Sequence, residues 1–246
     1  MSHPSPAESA PSPLWGYYER LLPHAIEAIT ARHAIAYLPW GALEYHGTHA
    51  AIGLDGMKAH GLCAALARHV GGLVLPAVYL AANTIKTAPD LNFPRHSLDF
   101  NEELIRALAR THFDQLADEA FAVVFTLCGH VGQPHYDIIK AEAEAANTRH
   151  HGRTAFIATS ETDLLPPDLV KVNHAALGEI AFLMHLEPDC VDLKRLPADR
   201  APTLAQDAVW GEDPRAASAE LGARFAAAFV EAAAARLTAA LPPAHA

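Results

Sequence analysis

Glu44 and His46 stand two residues apart in LPWGALEYHGTHAAIGLD (38–55), just after an apolar run. In extended backbone, side chains two apart face the same way. One carboxylate and one imidazole would then enter a common space. Carboxylates and imidazoles together suit Zn, Mn or Fe ions, although a surface loop explains the same E-x-H pattern as well. Asp55 closes the segment, where taken alone it reads first as the N-cap of a following helix. A second group lies in CGHVGQPH (128–135). There His130 sits between Gly129 and Gly132, and glycines allow backbone to approach a ligand closely; a histidine in a plain tight turn looks the same. A third group is VNHAALGEIAFLMH (172–185). His174 and Glu179 flank a helix entry, or Glu179 lies on the exposed face of an amphipathic helix.

These residues need a frame that brings them together. HAIAYLPW (33–40), GLVLPAVY (72–79), FAVVFTLC (121–128) and TAFIATS (154–160) read as buried strands. Helical patterns lie between them: one after Asp55 that stops at Gly71-Gly72, one after Asp99, and one from Pro134. An alanine-rich helix over roughly 214–240 closes the chain. The alternation predicts an α/β fold: a three-layer αβα arrangement with a mostly parallel central sheet. It predicts one domain over 14–241, with 1–13 and the final LPPAHA as mobile tails. In such sheets a ligand sits beyond the carboxyl ends of the strands, which is where most of the candidate residues fall. The loops 80–98 and 161–175 are long for an α/β unit, and long loops in compact domains are often functional.

Composition narrows the function. The formal charge of −10 and the lack of a basic run argue against nucleic acid as a partner. No apolar run approaches the roughly 20 residues a membrane-spanning helix needs. The start, MSHPSPAESAPSP, lacks the basic and apolar stretches of a secretory signal. The three cysteines, Cys63, Cys128 and Cys190, form neither a disulfide framework nor a metal knuckle. The expectation is a cytoplasmic protein. Cys128 could face a metal as thiolate or simply pack at a strand end. Trp40 and Tyr45 could line a pocket or belong to the core.

LPWGALEYHGTHAAIGLD resembles the signature of the creatininase (creatinine amidohydrolase) family, in which a strand leads into G-x-x-E-x-H-G-x-H with an aspartate eleven residues after the glutamate. Here these are Glu44, His46, His49 and Asp55. CGHVGQ resembles the family's N-G-H-G-G-N segment, NFPRHSL (92–98) its F-P-G-T loop, and NHAALGEIA its H-A-G-E-x-E-T-S segment. The four occur in family order. The resemblance implies one or two divalent ions per subunit. Glu44, Asp55 and His130 would hold one; His46, a bridging Asp55 and a further acid would hold the second. In the family's namesake that acid follows the histidine by two positions, which here is Gly132. Other members supply it from the H-A-G-E-x-E segment, and its second glutamate aligns with Glu179. His174 becomes the candidate proton shuttle or substrate contact. His49 could ligate, support a ligand, or support the loop. The F-P-G-T loop has become Phe93-Pro94-Arg95-His96, which makes Arg95, His96 and Tyr45 candidate substrate contacts. Homo-oligomers, often hexamers, are common among such enzymes.

The chemistry expected is hydrolysis of a C–N amide bond in a small substrate such as a cyclic amide or formamide, by metal-activated water. Creatinine itself is not expected to be turned over well, given Gly132 and the altered loop. Two alternatives follow from the same residues. One is hydrolysis of a C–C bond in a cyclic polyol ketone, which Arg95 and His96 would suit. The other is a non-catalytic ligand-binding protein on the same scaffold.

Overall fold

The computed structural model describes residues 14–241; the predicted tail at 1–13 and, apart from Leu241, the predicted tail at 241–246 lie outside the described residues. In chain order the elements are β1 (Trp15–Tyr17), α1 (Pro23–Thr30), β2 (Ile35–Trp40), α2 (Leu54–Val70), β3 (Gly72–Val74), α3 (Glu102–Asp118), β4 (Val123–Cys128), α4 (His135–Arg149), β5 (Ala155–Thr159), α5 (Glu161–Leu164), α6 (Leu177–Leu186), α7 (Leu204–Asp207) and α8 (Ala219–Ala240). The strands form one sheet in the order β1-β3-β2-β4-β5, every pair parallel. The three-layer αβα reading therefore stands.

Successive strand residues point to opposite faces, and here both faces are apolar. Ile35, Tyr37, Val123, Phe125 and Leu127 pack with α2, α6 and α8. Ala36, Leu38, Trp40, Val124 and Cys128 pack with α1, α3 and α4 on the other side. Trp40 and Cys128 are thus core residues, and a buried side chain of Trp40's size contributes at least the roughly 1.5–3 kcal/mol of a buried Leu or Phe.

Several elements differ from the sequence reading for local reasons. The strand expected over 72–79 ends at Val74, and only an isolated bridge from Trp40 to Val78 continues it past Pro76. The edge strand β1 is three residues long, too short to carry a period-2 signal. Asn101, not Asp99, caps α3, accepting from Leu104 N at 2.8 Å. Asp99 instead accepts from Thr84 N at 2.7 Å and ties down the 80–98 loop. The closing helix starts after Ser218, whose hydroxyl accepts from Leu221 N at 3.1 Å; residues 214–216 form a separate 3-10 turn.

Register positions the site. Trp40 pairs with Cys128 and Leu127 with Thr159, so β2, β4 and β5 end at one level. The chain leaves them toward Glu44–His46, Gly129–His130 and Glu161 at the same edge of the sheet. Helix α2 begins directly above. A Cβ at Gly129 would lie 2.1 Å from the Asp55 carbonyl oxygen, so only glycine lets the strand end pass under the helix start.

Candidate metal centre

Asp55 does not cap α2. Gly53 holds the cap position, and Asp55 sits inside the first turn with its carboxylate turned into the protein. Its Oδ1 lies 3.3 Å from His46 Nε2 and its Oδ2 lies 3.4 Å from His130 Nδ1. His130 Nδ1 is also 2.9 Å from Glu44 Oε2, and His46 Nε2 is 3.7 Å from Glu179 Oε2. Besides a group of Glu44, His46 and His174 there are two triads that share Asp55, Glu44–Asp55–His130 and His46–Asp55–Glu179, and in each group the ligand atoms lie mutually within 4.8 Å. All five residues of these two triads are buried. Two donors each about 2.1 Å from one ion at a tetrahedral angle stand roughly 3.4 Å apart. The observed spacings bracket that value.

The imidazoles are oriented for ligation by their far nitrogens. His46 Nδ1 lies 3.0 Å from the Glu44 carbonyl and His130 Nε2 lies 3.2 Å from the Ala82 carbonyl. A carbonyl only accepts, so those nitrogens carry protons, and the inward nitrogens, once deprotonated, would offer their lone pairs to an ion. His46 Nε2 and Asp55 Oδ2 are buried without a hydrogen-bond partner. Unsatisfied buried polar atoms are costly, and divalent ions between the two triads would satisfy both. The donor set of carboxylates and neutral imidazoles therefore fits the expected metal.

Without an ion, protons take up the same negative potential. Burial pushes the His46 pKa down, but Asp55, Glu179 and Glu44 override it and lift it to about 9. Burial likewise opposes His130, whose pKa Glu44 and Asp55 raise well above the usual range. Burial would raise Glu44 and Asp55, yet His130 and then His174 hold the Glu44 carboxyl low, and His46 and His130 hold that of Asp55 well below the usual range.

His174 stacks on His46 with ring centroids 4.3 Å apart. Its Nε2 lies 3.0 Å from the Tyr45 carbonyl, leaving Nδ1 as the free lone pair. Burial and the neighbouring His46 lower its pKa, so the ring is neutral. Its backbone is clamped by a two-bond bridge to Trp210. His49 supports the loop: Nε2 lies 2.9 Å from the Ala175 carbonyl, and Ala175 N donates to Glu179 Oε2 at 2.8 Å. Glu44 is braced by the Ile85 amide.

Glu44, Asp55, His130, His174 and Glu179 line a cavity of about 260 Å³ whose other walls are largely apolar, among them Ile85, Leu91, Val172 and Trp210. Tyr45, Arg95 and His96 do not line it. They form a separate hollow with Phe93, whose ring centroid is 5.3 Å from that of Tyr45. No cysteine joins a ligand group among the described residues. The sequence reading missed three charged or titratable residues near the site. Lys58 and Glu161 are buried beside Glu179. His135, which burial and His130 push down to about 3, accepts from Ala82 N at 3.3 Å. A lysine one helical turn from Asp55, on the face that must be buried, was the only available hint.

Gly132 explains why no acid follows His130. A Cβ there would lie 2.6 Å from the Asn83 carbonyl oxygen and 2.6 Å from His130 Nε2. Gly132→Glu is therefore expected to lower stability by about 1–3 kcal/mol through overpacking and to lower metal content by displacing His130. Thermal unfolding and elemental analysis check this; a variant that is as stable and binds metal more tightly would contradict it.

Residues 19–237 match the family described as Creatininase: Creatinine amidohydrolase. A creatinine amidohydrolase of Pseudomonas putida is 24% identical over 208 residues, covering 76% of this chain and 77% of that protein. A creatinine amidohydrolase (creatininase) crystal structure superposes with a TM-score of 0.76 at 21% identity, covering 95% of this chain and 100% of the other. A creatininase structure described as a manganese form superposes with a TM-score of 0.75 at 21% identity, covering 92% of this chain and 99% of the other. With a family match over nearly its whole described length and low identity to these relatives, the chain belongs to the creatininase (creatinine amidohydrolase) family as a divergent member.

Proposed function

We propose that this amidohydrolase-type enzyme hydrolyses a C–N amide bond in a small substrate, using two divalent ions. The observation that carries the reading is the pair of ligand triads sharing Asp55. Glu44, Asp55 and His130 would hold one ion; His46, Asp55 and Glu179 would hold the other. Zn, Mn and Fe all suit this donor set. Bound divalent ions supply Lewis acidity and activate water at neutral pH.

The chain's own residues do the rest. The carbonyls of Glu44 and Ala82 fix which nitrogen of His46 and of His130 faces inward. The apolar walls exclude bulk water, which strengthens the charges inside. His174 lines the cavity with its Nε2 engaged by the Tyr45 carbonyl, so its Nδ1 moves the proton to the leaving nitrogen. The cavity of about 260 Å³ lies at the small end of ligand pockets. Its apolar walls select a compact substrate. Substrate contact falls to those walls and not to Arg95, His96 or the Tyr45 ring, which line the separate hollow. The same placement weakens the polyol-ketone alternative, because that reading relied on Arg95 and His96.

The test is elemental analysis of the purified protein, followed by chelation and reconstitution against cyclic amides, formamides, linear amides, lactones and creatinine. Turnover of a C–N substrate should vanish on chelation and return with added metal, with creatinine at most a poor substrate. A protein that purifies without stoichiometric metal and takes none up would mark the non-catalytic alternative as correct.

A further inference from the structure

Lys58 is among the largest fully buried side chains, and its ammonium has two carboxylate partners. Nζ lies 2.5 Å from Glu161 Oε1 and 2.9 Å from Glu179 Oε1. Lys58 comes from the second turn of α2, Glu161 from the first residue of α5 and Glu179 from the first turn of α6. Glu161 belongs to no ligand group among the described residues. A buried lysine and glutamate that contact neither ion position are expensive to maintain, so they call for a role.

The bonds of Glu179 supply one. Its Oε1 accepts from Lys58 and its Oε2 accepts from the Ala175 amide at 2.8 Å. Two donors on different oxygens fix the plane of a carboxylate. Each oxygen has two lone pairs, so Oε2 keeps one for the space beside His46 Nε2, 3.7 Å away. Resting on the two-ion reading above, we propose that Lys58, held in place by Glu161, is a positioning residue that presents Glu179 to the second ion. It leaves the first ion, held by Glu44, Asp55 and His130, untouched. The pair also confines charge. Lys58 offsets Glu161, so Glu179 faces the second ion with its own charge undiminished overall.

The test is calorimetric titration of Zn²⁺ into the metal-stripped full-length protein, with elemental analysis after desalting. Wild type should take two ions per chain. Lys58→Met should bind the first with unchanged affinity and the second about 10–100-fold more weakly, the usual loss when an outer partner of a ligand is removed. Lys58→Met combined with Glu161→Leu controls for mere charge balance, because an apolar pair can replace a buried ion pair without loss of stability. That double variant should regain thermal stability and still lack tight binding of the second ion. Recovery of the second ion in the double variant, or wild-type binding by Lys58→Met, would overturn the assignment. Loss of both ions in a folded Lys58→Met would overturn its selectivity and with it the positioning role. Glu179→Gln separates the two levels. If it keeps the second ion, or if wild type takes only one, the two-ion reading fails. If Glu179→Gln loses the second ion while Lys58→Met keeps it, only the role of Lys58 fails.

Discussion

Asp55→Asn is expected to strip the protein of both ions and abolish turnover while the fold survives. Asp55 is the only residue common to both triads. Its two oxygens face different histidines, at 3.3 Å and 3.4 Å. An asparagine keeps the shape but offers one oxygen and a nitrogen whose lone pair is unavailable. One triad loses its ligand outright, and the other loses the negative charge that draws the ion. The effect should therefore exceed the roughly 10–100-fold typical of losing a partner behind a ligand. Glu44→Gln provides the comparison, because it touches only one of the two triads that share Asp55; it should lose the first ion and keep more metal than Asp55→Asn. The fold should hold because the backbone of Asp55 continues α2, whose helical bonds and apolar face do not use the carboxylate. Elemental analysis, circular dichroism and turnover are the measurements. Full metal content or near-normal turnover in folded Asp55→Asn would refute the shared-ligand geometry.

The clustering of the candidate ligands was legible in the sequence in part: Glu44, His46 and His130 follow strand ends, which converge in a parallel sheet, whereas Glu179 and the division into two sets came only from the family resemblance. The β2–β4 register, Trp40 opposite Cys128, follows from two apolar runs of matching length and places the exits to Glu44–His46 and to His130 side by side. The i, i+2 argument for Glu44 and His46 reached the right neighbourhood for an incomplete reason. The segment is irregular rather than a strand. Glu44 and His46 do share one group, with His174, but Glu44 also reaches His130 while His46 reaches Asp55 and Glu179. Asp55 looked like a cap because caps and first-turn acids lie within two residues of each other; in the fold Gly53 takes the cap position and Asp55 falls inside the first turn. What the sequence hid depends on where long loops travel. Arg95 and His96 sit near the family's substrate loop in order, yet the loop's path carries them to a hollow beside Phe93. Lys58 and Glu161 are 103 residues apart and meet only because α2 and the end of β5 reach the same edge. No local pattern reports a contact of that kind.

His174→Ala is expected to lower kcat by about 10²–10⁴-fold, the range for losing a positioned general acid or base, with both ions retained. The geometry separates two roles for this ring. It lies near enough to Glu44 and His46 to form a third possible ligand group with them. However, it stacks flat on His46, at 23° between planes, with its Nε2 spent on the Tyr45 carbonyl. In the two-ion proposal Asp55 and Glu179 complete the set with His46, whose Nε2 at the ring edge faces both. A stacked ring is placed to exchange protons with a substrate over the centre, where its Nδ1 lone pair is free. The neutral state favoured by burial and by His46 keeps that lone pair available. Removing the ring should therefore leave metal content intact, and added imidazole, small enough for the vacated space, should restore part of the rate. A ligand role predicts the reverse: metal lost first, and activity recovered by excess metal rather than by imidazole. Because the Trp210 bridge holds the backbone of residue 174 through main-chain bonds, the alanine variant keeps the wall in place. Metal-dependent rather than imidazole-dependent rescue would move His174 from proton carrier to ligand.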